Sequence, residues 1–226
     1  MCGRYSFAPK PKQLEAQMRD IQRPTELKIS FNIAPTHRAY VIANEEPDTL
    51  QSMIWGLVPH WNTEGANSGK LINARAEGIE EKPSFREPIR TRRCLVPADS
   101  FYEWRTAPGR QKLPYRILPR DGSLLFMAGI WDEWRRGREV KRTFSIITTS
   151  PNEEMENLHN RMPVLLTDAD ARQTWLSPIP LTDALSLLRP AVDGFLSIYR
   201  VSEKLNAPGY NEPVLHQEVQ ELSTLF

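Results

Sequence analysis

Nineteen prolines scattered along 226 residues constrain this chain more than any other feature. Proline lacks a backbone N–H and clashes with the turn before it, so each one stops or bars a long helix and stays out of central strand ladders. Their spread predicts many short elements separated by turns. Three short helices fit the gaps: PKQLEAQMRDI (11–21), TDADARQTWLS (167–177), with Thr167 as cap before an acidic first turn, and LTDALSLLRPA (181–191), capped by Thr182 or Asp183. Between them run RAYVIAN (38–44), QSMIWGLV (51–58), RRCLVPA (92–98), SFYEWR (100–105), LPYRIL (113–118), LLFMAGIWDEW (124–134) and RTFSIITT (142–149). These runs are rich in β-branched and aromatic residues, and APGR, PRDG and RRGR mark turns between neighbours. Strands outnumber helices and do not alternate with long ones, which argues against a doubly wound parallel sheet. The expectation is an α+β fold: one domain over 1–226, with a curved, barrel-like, mostly antiparallel sheet flanked by short helices.

A formal net charge of +1, with 25% charged and 40% hydrophobic residues, describes an ordinary globular chain. Nothing global points to nucleic acid, so a DNA-binding reading must rest on basic residues that converge in space. Two cysteines, Cys2 and Cys94, are too few for a disulfide framework, and no CxxC or His/Cys ligand spacing is present; no metal and no cofactor is expected. No apolar run approaches the ~18 residues of a spanning helix, and MCGRYSFAPKPKQ has no hydrophobic core for a signal peptide. The chain reads as intracellular and cytoplasmic, without membrane contact.

The chemistry concentrates at Met-Cys-Gly-Arg. A small residue after an initiator methionine permits its removal, which would leave Cys2 first. A terminal amine of pKa about 7.7–8.0 would then lie beside a thiol of pKa about 8.5. With an aldehyde the amine forms an imine, and the thiol closes onto the imine carbon to give a five-membered thiazolidine. On position alone, Cys2 reads as an inert terminal residue rather than as a nucleophile.

Six segments weigh against the inert reading: MCGRYSF at the start, FNIAPT (31–36), WGLVPHW (55–61), LINARAE (71–77), FYEW (101–104) and NLHNRMPVLL (157–166). Together, in this order and spacing, they resemble the SRAP family of SOS-response-associated, abasic-site-processing proteins, over nearly the whole chain. The resemblance implies a single α+β domain with a barrel-like core and a DNA groove, in which Cys2 caps abasic sites in single-stranded DNA, together with a lyase activity. Its members were first described as peptidases, an activity that self-removal of Met1 would satisfy.

Glu103 lies among aromatics in FYEW, where desolvation raises a carboxyl pKa; the resemblance gives it proton transfer during imine formation, thiol attack and β-elimination. His159 has a pKa range suited to acid/base work, and the resemblance places it at the sugar and in reversal of the crosslink. Asn73, whose amide both donates and accepts, and Thr148 are placed at the same pocket. Arg4, Arg75 and Arg161 each stand within two residues of one of these positions, and their guanidinium forks suit phosphate. Pro35 and Trp61 could form an apolar platform for an exposed base. Taken singly, each has a bland reading: a solvent-facing strand Glu, a helix-capping His, a turn Asn, a strand Thr, surface arginines, a Trp packed under the sheet as Trp55 is expected to be. His37, His60 and His216 read as surface residues, Cys94 as a buried small hydrophobe, and RRGREVKR (135–142) as an exposed hairpin tip. NTEGANSGK (62–70) reads as a polar, flexible insert, and GIEEKPSF (78–85) as a loop more acidic than DNA would favour. The chain is expected to act as a monomer. Two other functions stay open: an N-terminal cysteine peptidase or hydrolase using Cys2 and His159, and a non-catalytic reader of modified DNA.

Overall fold

A computed structural model describes residues 2–65, 69–107, 109 and 111–219. Five strands close a barrel: β3 (Arg38–Ala43), β4 (Leu50–Trp55), β6 (Arg93–Ala98), β9 (Leu125–Arg136) and β10 (Glu139–Thr149), in the order β10-β4-β3-β6-β9 with β9 returning to β10. The β10–β4 pair is parallel, with Thr143 beside Ile54 and Phe144 beside Trp55; the other pairs are antiparallel. Past Phe144, β5 (Asn73–Arg75) replaces β4 on one side of β10, also in parallel, and β11 (Met162–Pro163) replaces β9 on the other. A second sheet, antiparallel throughout, orders β12-β8-β7-β1-β2 from β1 (Arg4–Phe7), β2 (Ser30–Ile33), β7 (Ser100–Thr106), β8 (Lys112–Pro119) and β12 (Leu196–Arg200). The fold is α+β as expected, with two sheets where the sequence suggested one.

Every residue of β6 and the first eight of β9 are buried, because one face of these stretches fills the barrel while the other is covered from outside. A single apolar cluster joins Tyr5, Phe7, Phe101 and Ile117 of the second sheet to Val41, Trp55, Val96 and Phe144 of the barrel. Gly129 sits where strands approach too closely for a side chain: a Cβ there would lie 2.9 Å from Cys94 Sγ and 3.1 Å from the Ser145 carbonyl. The chain passes from barrel to second sheet at Asp99, whose carboxylate accepts from the Ala8 N–H at 2.6 Å, Ser6 Oγ at 2.9 Å and Arg116 at 2.8 Å. Buried Arg93 donates to the carbonyls of Trp175, Ser177, Ile89 and Arg90 and stacks on Trp175, fastening α2 (Pro88–Thr91) and α4 (Ala169–Leu176) to the barrel.

Several expectations need correction. The first helix, α1 (Pro11–Gln17), stops four residues short of 21. The cap of α4 is Asp168, whose carboxylate accepts from the Ala171 N–H, and not Thr167; α5 (Leu181–Ser186) starts after Pro180 without a side-chain cap from Thr182 or Asp183. His216 is not a surface residue: it packs edge-on against Phe31 and 3.5 Å from Asp99 Oδ2, and burial pulls its pKa down to about 4. Of the 62–70 insert, residues 66–68 lie outside the described residues, while 62–65 are tied down: Asn62 Oδ1 accepts from the backbone of Glu64 and Gly65, and Trp134 Nε1 donates to the Asn62 carbonyl. The APGR turn falls partly on Pro108 and Arg110, also outside the described residues. No helix among the described residues is long and apolar enough to cross a membrane.

Candidate active site

Segments remote in sequence converge where the two sheets meet. In the β1–β7 register Arg4 lies opposite Tyr102, so Cys2 and Glu103 leave the ladder at the same end. β5 holds Asn73 beside Ile146, and the Asn73 amide N–H donates to the Cys2 carbonyl at 2.8 Å. The turn before β11 brings His159 Nε2 to 4.0 Å from Glu103 Oε2. Cys2, Asn73, Glu103 and His159 are thus gathered by strand registers, not by sequence proximity.

Burial sets their protonation. The Cys2 thiol is fully buried, and desolvation, then the charge of Glu103, pushes its pKa up, so it holds its proton until a neighbour accepts it. Glu103 is 3% exposed, and the same desolvation raises its pKa to about 7, where a carboxyl both takes and gives protons at neutral pH. Burial lowers the pKa of His159, which keeps the ring neutral at pH 7. His159 Nδ1 meets the backbone of Arg161 twice, the N–H at 3.0 Å and the carbonyl at 3.2 Å, so the ring is held in place in either neutral tautomer with Nε2 toward Glu103. Asn73 Oδ1 is buried with no hydrogen-bond partner among the described residues, at a cost of about 1–3 kcal/mol that a donor on a bound molecule would relieve.

Two cavities flank this centre. One of about 440 Å³ is lined by Asn73, Arg75, Glu77, Lys82, Phe85 and Arg161; the other, about 580 Å³, by Arg4, Glu103, Trp104, Lys112, His159 and Asn206. The first sets three cations against one carboxylate and the second two cations against Glu103, so both favour an anionic ligand although the chain is nearly neutral. The arginines are less free than their spacing implied. Arg161 forks onto the two oxygens of Glu77 at 2.8 Å each and also donates to the Thr148 carbonyl. Arg4 donates to Asn32 Oδ1 at 2.7 Å and to the Leu205 carbonyl at 3.0 Å, stacked over Trp104. Arg75 is exposed. Thr148 is fully buried, and its link to the site runs through Arg161; a direct contact with DNA is not available to it.

Pro35 and Trp61 line neither cavity. Pro35 precedes Thr36, whose N–H donates to the Trp55 carbonyl, and Trp61 lies farther along the barrel toward the β9–β10 hairpin, 54% exposed. Trp55 is buried, as expected. Sequence reading passed over Glu77, Lys82, Trp104, Lys112 and Asn206. Glu77 closes the LINARAE segment and Trp104 the FYEW segment, which were signals in hand; Lys82, Lys112 and Asn206 enter only through the packing of separate elements. No group of three or more His, Cys, Asp or Glu side chains among the described residues could hold a metal ion.

A thiol, a carboxyl, an imidazole and an amide gathered where the two sheets meet, beside cation-lined recesses, are the groups that nucleophilic and proton-transfer chemistry on an anionic substrate requires. The family model described as SOS response associated peptidase (SRAP) matches residues 1–208, and the chain belongs to that family. It is 39% identical over 223 residues to the abasic site processing protein YoqW of Bacillus subtilis, covering 95% of this chain and 98% of the relative. It is 31% identical to the abasic site processing protein YMR114C of Saccharomyces cerevisiae, covering 100% of this chain and 70% of that one. Among solved structures, a protein from Bacteroides thetaiotaomicron superimposes with a TM-score of 0.85 at 32% identity, over 97% of this chain and 100% of the other.

Proposed function

We propose that this chain processes abasic sites in single-stranded DNA by covalent capture of the sugar aldehyde on Cys2, after removal of Met1. The observation that carries the reading is the Cys2 carbonyl held by Asn73 with the thiol buried beside Glu103. Protonated Glu103 donates to the ring oxygen while the neutral His159 ring takes the C1′ hydroxyl proton at Nε2, in the tautomer whose Nδ1–H faces the Arg161 carbonyl, and the deoxyribose hemiacetal opens to the aldehyde. The freed amine of Cys2 adds to C1′, and loss of water gives the imine. The thiol then adds across the C=N bond: sulfur bonds to C1′, the thiol proton passes by way of Glu103 to the nitrogen, and the ring closes as a thiazolidine. A pKa near 7 suits Glu103 to both directions of that transfer. Asn73 Oδ1 accepts from the sugar hydroxyl or the terminal amine. Arg75, Arg161 and Arg4, with Lys82 and Lys112, take the phosphates on either side, Thr148 holding Arg161 in place, while Pro35 and Trp61 meet the strand farther out. An imine that does not close acidifies C2′, and loss of that proton to Glu103 or His159 expels the 3′ phosphate, which is a lyase activity.

Intact mass and denaturing electrophoresis test this, with protein verified to begin at Cys2 and a single-stranded oligonucleotide bearing one abasic site. A covalent adduct is expected that disappears in Cys2→Ala and in protein retaining Met1, whose Cys2 nitrogen is an amide. No adduct from correctly processed protein would sink the capture reading. The family's description favours a second activity of the same groups, cleavage of the Met1–Cys2 bond by attack of the Cys2 thiol on the Met1 carbonyl and hydrolysis of the resulting thioester; it requires that purified protein carrying Met1 lose it on incubation without any aminopeptidase and that Cys2→Ala protein carrying Met1 keep it.

A further inference from the structure

The ion pair in the cavity beside Asn73 holds its two members unequally. Arg161 stands just before β11 with its side chain 14% exposed, while Glu77, two residues past β5, is 58% exposed. The guanidinium donates to both Glu77 oxygens at 2.8 Å, and Nη2 also donates to the Thr148 carbonyl at 2.5 Å. That carbonyl accepts the Ala76 N–H as well, so the backbone leading into Glu77 and the head of Arg161 are fixed to one atom of β10. Arg161 is thus anchored to the barrel through Thr148, and its fork is filled by a carboxylate that is itself open to water.

Exposure decides what each partner can do alone. An exposed carboxylate that leaves an ion pair is taken up by water at little cost. A mostly buried guanidinium left without an anion is costly. Arg161 therefore keeps an anion at its fork in every state, whereas Glu77 can leave. A carboxylate and a phosphate both offer a pair of oxygens to that fork, so one can replace the other there. The Arg161 fork, and after it the charge of Arg75, holds the Glu77 carboxyl below the usual carboxylate range, and it competes as a full anion at neutral pH.

We infer that Glu77 occupies the phosphate position on Arg161 in the free protein and yields it to a bound strand, which makes it a gate against undamaged DNA. This rests on the proposed capture of abasic-site DNA for the identity of the strand. An undamaged strand must expel the carboxylate from free solution at every encounter. Once Cys2 has bonded to C1′, the phosphate beside the lesion is tethered at high effective concentration and wins the exchange. Glu77 acts through Arg161 and sets specificity, by making the fork open to a strand that is already held.

The test compares wild type with Glu77→Gln and with a charge control, Glu81→Gln, an exposed carboxylate four residues on. All are verified to begin at Cys2 and matched by thermal melting. Each is titrated by fluorescence anisotropy with a labelled undamaged single strand of about 12 nucleotides, over about 50 to 200 mM salt. Glu77→Gln is expected to bind about fivefold tighter than wild type at the lower salt, with a log–log salt slope steeper by about 0.7, the mark of one more phosphate contact. The undamaged strand should also inhibit adduct formation on an abasic oligonucleotide at about one fifth of the concentration that wild type requires. Glu81→Gln should shift affinity less than about twofold. In protein carrying Arg161→Gln, adding Glu77→Gln should bring no tightening; if that background does not fold, the salt slope and the charge control decide. Unchanged or weaker binding by Glu77→Gln would overturn the inference, because the carboxylate would then be orienting Arg161 for the strand. Equal tightening by Glu81→Gln, or tightening that persists without Arg161, would overturn it too, as a general effect of charge. If Glu77→Gln tightens on undamaged DNA as expected while no protein forms an adduct with abasic DNA, the capture reading fails and the gate stands.

Discussion

In the proposed mechanism Glu103 carries most of the proton transfers, and at the scale of single residues its burial has a cost that can be measured. A carboxyl whose pKa rises from 4.5 unfolded to about 7 folded binds more protons in the native state between those values. Its contribution to stability is therefore fully present below pH 4.5 and is lost as pH rises through 7, a change on the order of 3 kcal/mol. Glu103→Gln removes the buried charge and keeps the shape. It should melt higher than wild type at pH 8 and no higher at pH 5, by calorimetry, and it should capture abasic DNA about a hundredfold more slowly. The wild-type capture rate should show a limb with an apparent pKa near 7 that the variant lacks. Higher stability with lower activity from one substitution would mark a group kept for function; equal melting at pH 8 would mean that the carboxyl is solvated. His216 works in the opposite sense. Its pKa, held near 4 against about 6.5 unfolded, makes stability fall as pH drops from 6.5 to 4 and level off below, because only the unfolded state gains the proton in that window.

Strands and turns, at the next scale, were legible where they were long. The runs 38–44, 92–98, 100–105, 113–118 and 124–134 became β3, β6, β7, β8 and β9 within a few residues, because buried β-branched and aromatic stretches between turn residues have few other uses. RYSF, SFNI and NAR, which became β1, β2 and β5, are too short and too polar to announce themselves; they are strands because β7 and β10 offer them a ladder. Cys2 and Asn73 sit at the ends of two of these quiet strands, while Glu103 lies on β7 and His159 in the turn before β11. The loop that carries Trp61 closes at Gly65, which holds φ +62° with the Trp134 ring 2.3 Å from where a Cβ would be. Gly65→Ala combines backbone strain with a steric clash and should cost about 2–4 kcal/mol. Differential scanning should find its melting temperature several degrees lower, with altered tryptophan fluorescence from Trp134; an unchanged melt would show that the loop gives way freely.

At the scale of the whole molecule, a net charge of +1 gives no long-range attraction for DNA, so binding must come from cations placed by the fold. With about four phosphates met by Arg4, Arg75, Lys82, Lys112 and Arg161, the affinity for a short single strand should fall with salt at a log–log slope of about −3. A slope near zero would exclude the two cavities as the phosphate track. The sequence by itself determined the short-element, strand-rich character of the chain through its prolines and β-rich runs, and marked Cys2 and the motif residues Asn73, Glu103 and His159 through segments whose order and spacing are specific. Those are local properties, written in neighbouring residues. Only the tertiary structure decided that β10 exchanges β4 for β5 and β9 for β11, that Glu103 is desolvated enough to titrate near 7, that Arg161 is forked onto Glu77 and that Trp61 faces solvent beside the hairpin. Desolvation and ion pairing depend on what packs against a side chain, and those partners come from elements far along the chain, as Leu205 does for Arg4 and Asp99 for His216.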